Sequence, residues 1–113
     1  MRFVEITIQF FFYYYRKLIN LVELDLSYNS LISVPSHIFD SVPELRELKL
    51  TGNPIQRLLN EAFIHVPQLV RLEISDCRLG TVEQRAFSGL ETTLEWLKLD
   101  RNRLSDIKAT TIT

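Results

Sequence analysis

The sequence predicts an α/β-type solenoid, a stack of coils that each add one short parallel β-strand to a concave face and return along mostly irregular or short 3-10 convex segments. Three observations lead there. Four segments, "LVELDLSYNSLISV", "LRELKLTGNPIQRL", "LVRLEISDCRLGTV" and "LEWLKLDRNRLSDI", align as L-x-x-L-x-[LI]-x-x-[NC]-x-[LI]-x-x-[VLI]. They begin at Leu21, Leu45, Leu69 and Leu94, at spacings of 24, 24 and 25 residues. Phe39, Phe63 and Phe87 recur at one slot between them, with Val42, Val66 and Leu90 three residues later. A fixed period of this size marks a repeat architecture, because one unit cannot bury its apolar edge and a stack of units can.

Each part of the chain follows from that frame. Residues 1–17 precede it as an irregular or degenerate N-terminal segment: Tyr15 and Leu18 keep the register, but Glu5 falls in the Asn slot, and "FVEITI" matches "LVELDL" at a spacing of only 18 residues. Two readings fit: a hydrophobic strand or shortened coil covering the first repeat, or a stretch foreign to the solenoid, since "FFFYYY" is what pyrimidine-rich or A/T-rich noncoding sequence would encode. Glu5 and Gln9 interrupt the apolar run and no small-residue cleavage site follows, so it is a poor signal peptide. It is also too short for the roughly 20 apolar residues of a spanning helix. Residues 18–113 hold about four repeats. Within them the alternation puts Leu24/Leu26, Leu48/Leu50, Leu72/Ile74 and Leu97/Leu99 on one strand face, the core. The recurring Phe fills the convex half. Pro35, Pro43, Pro54 and Pro67 avoid the strand centres, where a missing N–H would break the ladder. Ile112 takes the Phe slot one residue before the chain stops, so the last repeat reads as truncated.

Composition narrows the chemistry. With 113 residues, 46% hydrophobic and 24% charged, the chain can bury one core. A net charge of −1 gives no electrostatic reason for a nucleic acid or an acidic membrane as partner. Three glycines make no phosphate loop, no Ser, His and acid grouping stands out, and neither His37 nor His65 has ligand spacing to the single cysteine, Cys77. The sequence therefore points away from an enzyme, a metal, a cofactor and a small-molecule substrate.

The aligned segments carry the leucine-rich repeat pattern. In it Cys77 occupies the slot of Asn29, Asn53 and Asn102, where a polar side chain satisfies backbone groups at the inward bend, and cysteine is a common substitute. This ladder is structural, with a protonated, inert thiol. The opposite strand face offers four columns: Glu23, Glu47, Arg71, Trp96; then Asp25, Lys49, Glu73, Lys98; then Ser27, Thr51, Ser75, Asp100; then Tyr28, Gly52, Asp76, Arg101. The alternating second column is read as pairing laterally. Glu23, Asp25, Tyr28, Glu47, Lys49, Arg71, Glu73, Asp76, Trp96, Lys98 and Arg101 are the candidate contacts for a protein partner, with Tyr28 and Trp96 as amphipathic anchors.

Beyond the repeat, "LTGNPI", "VPQLVRLEISDCR", "RAF" followed by "GLETTLEWLKLDRNRL", and the downstream "TIT" resemble the middle-to-late repeats of the Kekkon-type family of leucine-rich-repeat and immunoglobulin-domain transmembrane proteins. The resemblance covers roughly residues 21–113, odd-length coil included. It implies a cell-surface ectodomain with cysteine-rich caps, an immunoglobulin domain and a membrane span, acting in adhesion or modulation of receptor signalling. Those flanking parts are not in this sequence, which reads as an internal fragment whose uncapped ends favour self-association. No binding residue carries over from the family. An intracellular leucine-rich repeat scaffold is the alternative, and cap cysteines with a signal sequence on adjoining exons would separate the two.

Overall fold

The computed structural model describes residues 20–104 together with the strand Arg2–Val4. The chain order is β1 (Arg2–Val4), β2 (Glu23–Asp25), a 3-10 helix (Ser36–Ser41), β3 (Glu47–Lys49), β4 (Arg57–Leu58), β5 (Arg71–Glu73), β6 (Thr81–Val82) and β7 (Trp96–Lys98). Five strands form one parallel sheet in the order β1-β2-β3-β5-β7, and β4 pairs with β6 in a second, two-stranded one. We number the coils 1 to 4 from Leu21, Leu45, Leu69 and Leu94.

The repeat spacing sets the register. Leu24 lies opposite Leu48, Leu48 opposite Leu72, and Leu72 opposite Leu97, the last across the 25-residue coil without a slip. Because strand side chains alternate, these central leucines all turn inward while their neighbours turn out. Leu24, Leu48 and Leu72 are buried and Leu97 is half-buried. The ladder runs beyond the strands. Leu26, Leu50 and Ile74 donate to Lys49, Glu73 and Lys98 carbonyls at 2.8–2.9 Å, and Tyr28, Gly52 and Asp76 to Thr51, Ser75 and Asp100 at 2.8–3.0 Å.

β1 pairs parallel with β2, Arg2 opposite Glu23 and Phe3 opposite Leu24. That register is offset by 21 residues rather than the 18 of the sequence match. The slots of Glu5, Tyr15, Leu18 and Ile112 lie outside the described residues.

On the far side of the core, Phe39, Phe63 and Phe87 stack as a spine, with ring centroids 6.2 and 6.0 Å apart. The chain beside them folds by i to i−3 bonds, such as Val42 to Phe39, Val66 to Phe63 and Leu90 to Phe87 at 3.0–3.1 Å. These accumulate into a 3-10 helix only in coil 1. The β4–β6 sheet was not anticipated. Arg57 and Leu58 sit one period before Thr81 and Val82, and the two backbones pair there, although segments this short show no alternation to read.

The Asn slot links coil to coil. Asn53 Nδ2 donates to Leu50 O in its own coil at 2.8 Å and to Leu26 O in the preceding coil at 3.0 Å, while its Oδ1 accepts Leu31 N at 3.1 Å. Asn102 does the same in coil 4, donating to Leu99 and Ile74 carbonyls and accepting Cys77 and Leu79 N–H groups. Asn29 bonds within its own coil, to Leu26 O at 2.9 Å. Cys77 reaches Ser75 O and Leu50 O at 3.3 and 3.4 Å with a single weak donor. It is only half-buried, less enclosed than Asn53. Burial still pushes the thiol above its ordinary value of 9.0, against the opposing pull of the Asn53, Gly52 and Ile55 N–H groups.

Two outcomes follow for stability. Phe63, held between two rings, should cost about 3–5 kcal/mol when changed to Ala, and Phe87→Ala less, as read from urea midpoints. Cys77→Asn should gain roughly 0.5–1.5 kcal/mol, because the amide supplies the second donor and the acceptor that the thiol lacks. With the thiol, the raised pKa stabilises the fold below pH 9.0 and the contribution is lost as pH rises through the folded value. A melting curve for Cys77→Asn that is lower than wild type at pH 7 would contradict the ladder's role.

Candidate functional site

Everything the outward strand face presents is placed by the same register. Glu23, Glu47, Arg71 and Trp96 lie side by side across β2, β3, β5 and β7. Glu47, Arg71 and Trp96 form a row of contacts. Arg71 Nε lies 3.8 Å from Glu47 Oε1, and its guanidinium carbon stands 4.3 Å from the centre of the Trp96 ring. Both members of the ion pair are well exposed, so the pair is worth at most about 1 kcal/mol, and the cation–π contact roughly 0.5–1 kcal/mol. Their effect is to hold Arg71 between a carboxylate and an indole, with Trp96 still 36% exposed. Glu47, Lys49, Glu73, Arg71 and Trp96 rim an open hollow of about 290 Å³ with Leu48 at its floor.

The second column departs from the expected lateral charge pairing. Asp25, Lys49, Glu73 and Lys98 are in register, yet no ion pair joins them. Its carboxylates bond other groups instead, Asp25 within its own coil and Glu73 across to the preceding coil. Asp25 Oδ1 accepts Ser27 N at 3.0 Å, and Glu73 Oε2 accepts the Thr51 hydroxyl at 2.6 Å. The ammonium groups of Lys49 and Lys98 are left to solvent or to a partner.

The third column also differs, since Ser27, Thr51 and Ser75 are buried rather than displayed. Their side chains are short, and the Thr51 and Ser75 hydroxyls bond within the sheet. Thr51 Oγ1 accepts Ser75 N at 3.2 Å, and Ser75 Oγ donates to Asp100 Oδ1 at 2.5 Å. Asp100 Oδ2 meets Arg101 at 2.8 Å. The Ser75 hydroxyl first, then the Arg101 and Lys98 charges, hold the Asp100 carboxyl below its ordinary value of 3.8. Asp100 was not singled out from sequence as a contact. The signal that marks it is the register itself, which aligns it with a column of hydroxyls.

The fourth column shares one conformation. Tyr28, Gly52, Asp76 and Arg101 all have positive φ, between 52° and 78°. Only Gly52 adopts it without a side-chain penalty. An added β-carbon there would overlap the Tyr28 ring, which lies across the glycine while remaining 70% exposed. Tyr28 and Trp96 are not brought together: three strand spacings, roughly 14 Å, separate coils 1 and 4. Asp76 and Arg101 stand exposed at the rim, and Glu23 extends the first column toward β1.

Among the described residues no group of three His, Cys, Asp or Glu side chains could hold a metal ion, and no helix is long and apolar enough to cross a membrane. What the face offers is a mixed-charge surface with two separated aromatics and a hydrogen-bonded base.

Carboxyl NMR titration should find Asp100 ionising below 3.8, and Ser75→Ala should move it back toward that value. A lowered pKa stabilises the fold above 3.8, and this is lost as pH falls through the folded value. An Asp100 titration that Ser75→Ala does not move would remove the hydroxyl as its anchor.

Comparison with known proteins agrees with the repeat geometry. A family model described as "Leucine rich repeat" matches residues 19–79, more than half of the chain. The human protein "Leucine-rich repeats and immunoglobulin-like domains protein 1" is 33% identical over 88 residues, covering 78% of this chain and 8% of the relative. The "Transforming growth factor beta activator LRRC33" of Danio rerio is 33% identical over 95 residues, covering 76% of this chain and 14% of the relative. Drosophila melanogaster "Chaoptin" is 43% identical over 72 residues, covering 63% and 5%. The chain thus spans a small part of the length of each relative.

Proposed function

Since the chain belongs to the leucine-rich repeat family, we propose that it is a protein–protein interaction module, part of the ectodomain of a cell-surface receptor-like protein that acts in adhesion or in modulating receptor signalling. The observation that carries the reading is the Glu47–Arg71–Trp96 row. Trp and Arg dominate interface energetics when a partner desolvates them, and here both are pre-positioned on a rigid parallel sheet, so little side-chain entropy is lost on docking. Lys49, whose neighbouring carboxylates bond elsewhere, supplies unpaired charge at the edge of the same hollow. A concave sheet of this kind is the surface that stacked repeats present to partners.

The extracellular part of the proposal rests on the resemblance to proteins that join leucine-rich repeats to immunoglobulin domains, and on a relative whose name combines the same two modules. Immunoglobulin-type sandwiches are widespread among cell-surface domains. No charge excess on the chain favours nucleic acid.

To test the reading, the immobilised chain is screened against an array of recombinant cell-surface ectodomains, and each hit is re-measured with Trp96→Ala. The expected result is at least one hit that Trp96→Ala weakens tenfold or more, with the melting temperature nearly unchanged. Hits that bind Trp96→Ala as well as wild type would remove this face from the interface, and an array without hits would remove the function.

A further inference from the structure

A second surface lies away from the strand face, where the chain leaves the Asn slot. Between coils 2 and 3 that flank is zipped. Arg78 N donates to Ile55 O, Gly80 N and Thr81 N to Gln56 O, and Glu83 N to Leu58 O, at 2.9–3.3 Å. One period earlier the corresponding donors are Pro54, Gln56, Arg57 and Leu59. Proline has no N–H to give. No corresponding bond runs from Gln56, Arg57 or Leu59 back to coil 1. The flank is therefore open between coils 1 and 2, bounded by the Asn53–Leu31 bond on one side and by Ser36 Oγ donating to Ala62 O at 2.8 Å on the other.

The opening is lined by Ile32, Pro54, Gln56, Arg57, Leu59 and Arg78 around a hollow of about 620 Å³. Ile32 is 77% exposed and Leu59 53%, the largest exposures of aliphatic side chains among the described residues. Neither Arg57 nor Arg78 forms an ion pair. Apolar side chains, two uncompensated guanidinium groups and unmatched backbone donors thus converge on one strip.

We infer that this flank is a docking site for an extended, acidic–apolar segment of a partner protein, independent of the strand face. The complement follows from charge and donor count. Backbone carbonyls of an extended segment accept the unmatched N–H groups along the β4 side, carboxylates meet Arg57 and Arg78 in forked pairs, and alternate apolar side chains cover Ile32 and Leu59. A basic segment would face two arginines with no counter-charge. A purely apolar one would leave both guanidinium groups unpaired against it.

The test uses the full 113-residue chain, isotope-labelled, titrated with acetyl-Asp-Leu-Glu-Leu-Asp-Leu-amide and, as comparison, acetyl-Lys-Leu-Lys-Leu-Lys-Leu-amide. The acidic peptide should shift the amide signals of Gln56, Arg57 and Leu59 and slow their hydrogen exchange, binding at least tenfold more tightly than the basic one. Arg57→Glu with Arg78→Glu should weaken it tenfold or more. Leu59→Ser should weaken it about fivefold, and Trp96→Ala should change nothing. If the double charge reversal lowers the melting temperature, Arg57→Gln with Arg78→Gln takes its place. Four results would each overturn the proposal: no shifts at millimolar peptide, equal binding of the basic peptide, loss of binding in Trp96→Ala, or a free chain whose dimerisation Leu59→Ser abolishes, which would make a second copy the occupant.

Discussion

The structure depends on one constraint, the lateral register of successive coils fixed by backbone bonds from each coil to the next. A three-residue strand has too few bonds and too little apolar area to persist alone. Repeated at a spacing of 24 or 25 residues, such strands align Leu24, Leu48, Leu72 and Leu97 in one inward row and the Phe39, Phe63 and Phe87 rings in another. The Asn slot binds the rows together at the bend, where Asn53 and Asn102 each bond carbonyls of two coils at once. Polar groups that would be orphaned by the turn are satisfied in this way, which is why the bend can sit against the core.

What could be read in advance follows from how directly a residue type reports its environment. Leu at every second strand position, Phe at a fixed offset and Asn before the return each answer to a burial or hydrogen-bond demand repeated coil after coil. Side-chain direction on the polar face has no such repetition. Asp25 and Glu73 were expected to pair with Lys49 and Lys98, but the Ser27 N–H in the same coil takes the first and the Thr51 hydroxyl of the preceding coil takes the second. Ser27, Thr51 and Ser75 alternate outward like their neighbours, yet they are buried. The β4–β6 pairing escaped because two residues carry no period, and the open flank because it consists of bonds not made, one of them at Pro54, which has no N–H.

The two surfaces differ in the kind of order that they offer. Along the strand face the ladder is continuous from β2 to β7, so Arg71 and Trp96 are presented on a backbone that does not need to reorganise for binding. Along the flank the ladder is interrupted at one coil junction, and the interruption coincides with exposed Ile32 and Leu59 and with two unpaired arginines. A repeat protein can in this way carry a rigid recognition face and a locally unsatisfied strip in one short stack, with the same inter-coil bonds deciding which is which.

Site-resolved amide hydrogen exchange of the free chain tests that division most directly. The account predicts strong protection, on the order of a thousandfold or more, for Leu26, Leu50 and Ile74 on the strand side and for Gly80 and Glu83 on the closed flank, while Gln56, Arg57 and Leu59 exchange near the rate of an unstructured peptide. Equal protection of the two flank junctions, or strand-side amides that exchange as fast as Gln56, would show that inter-coil bonding does not partition the molecule in this way.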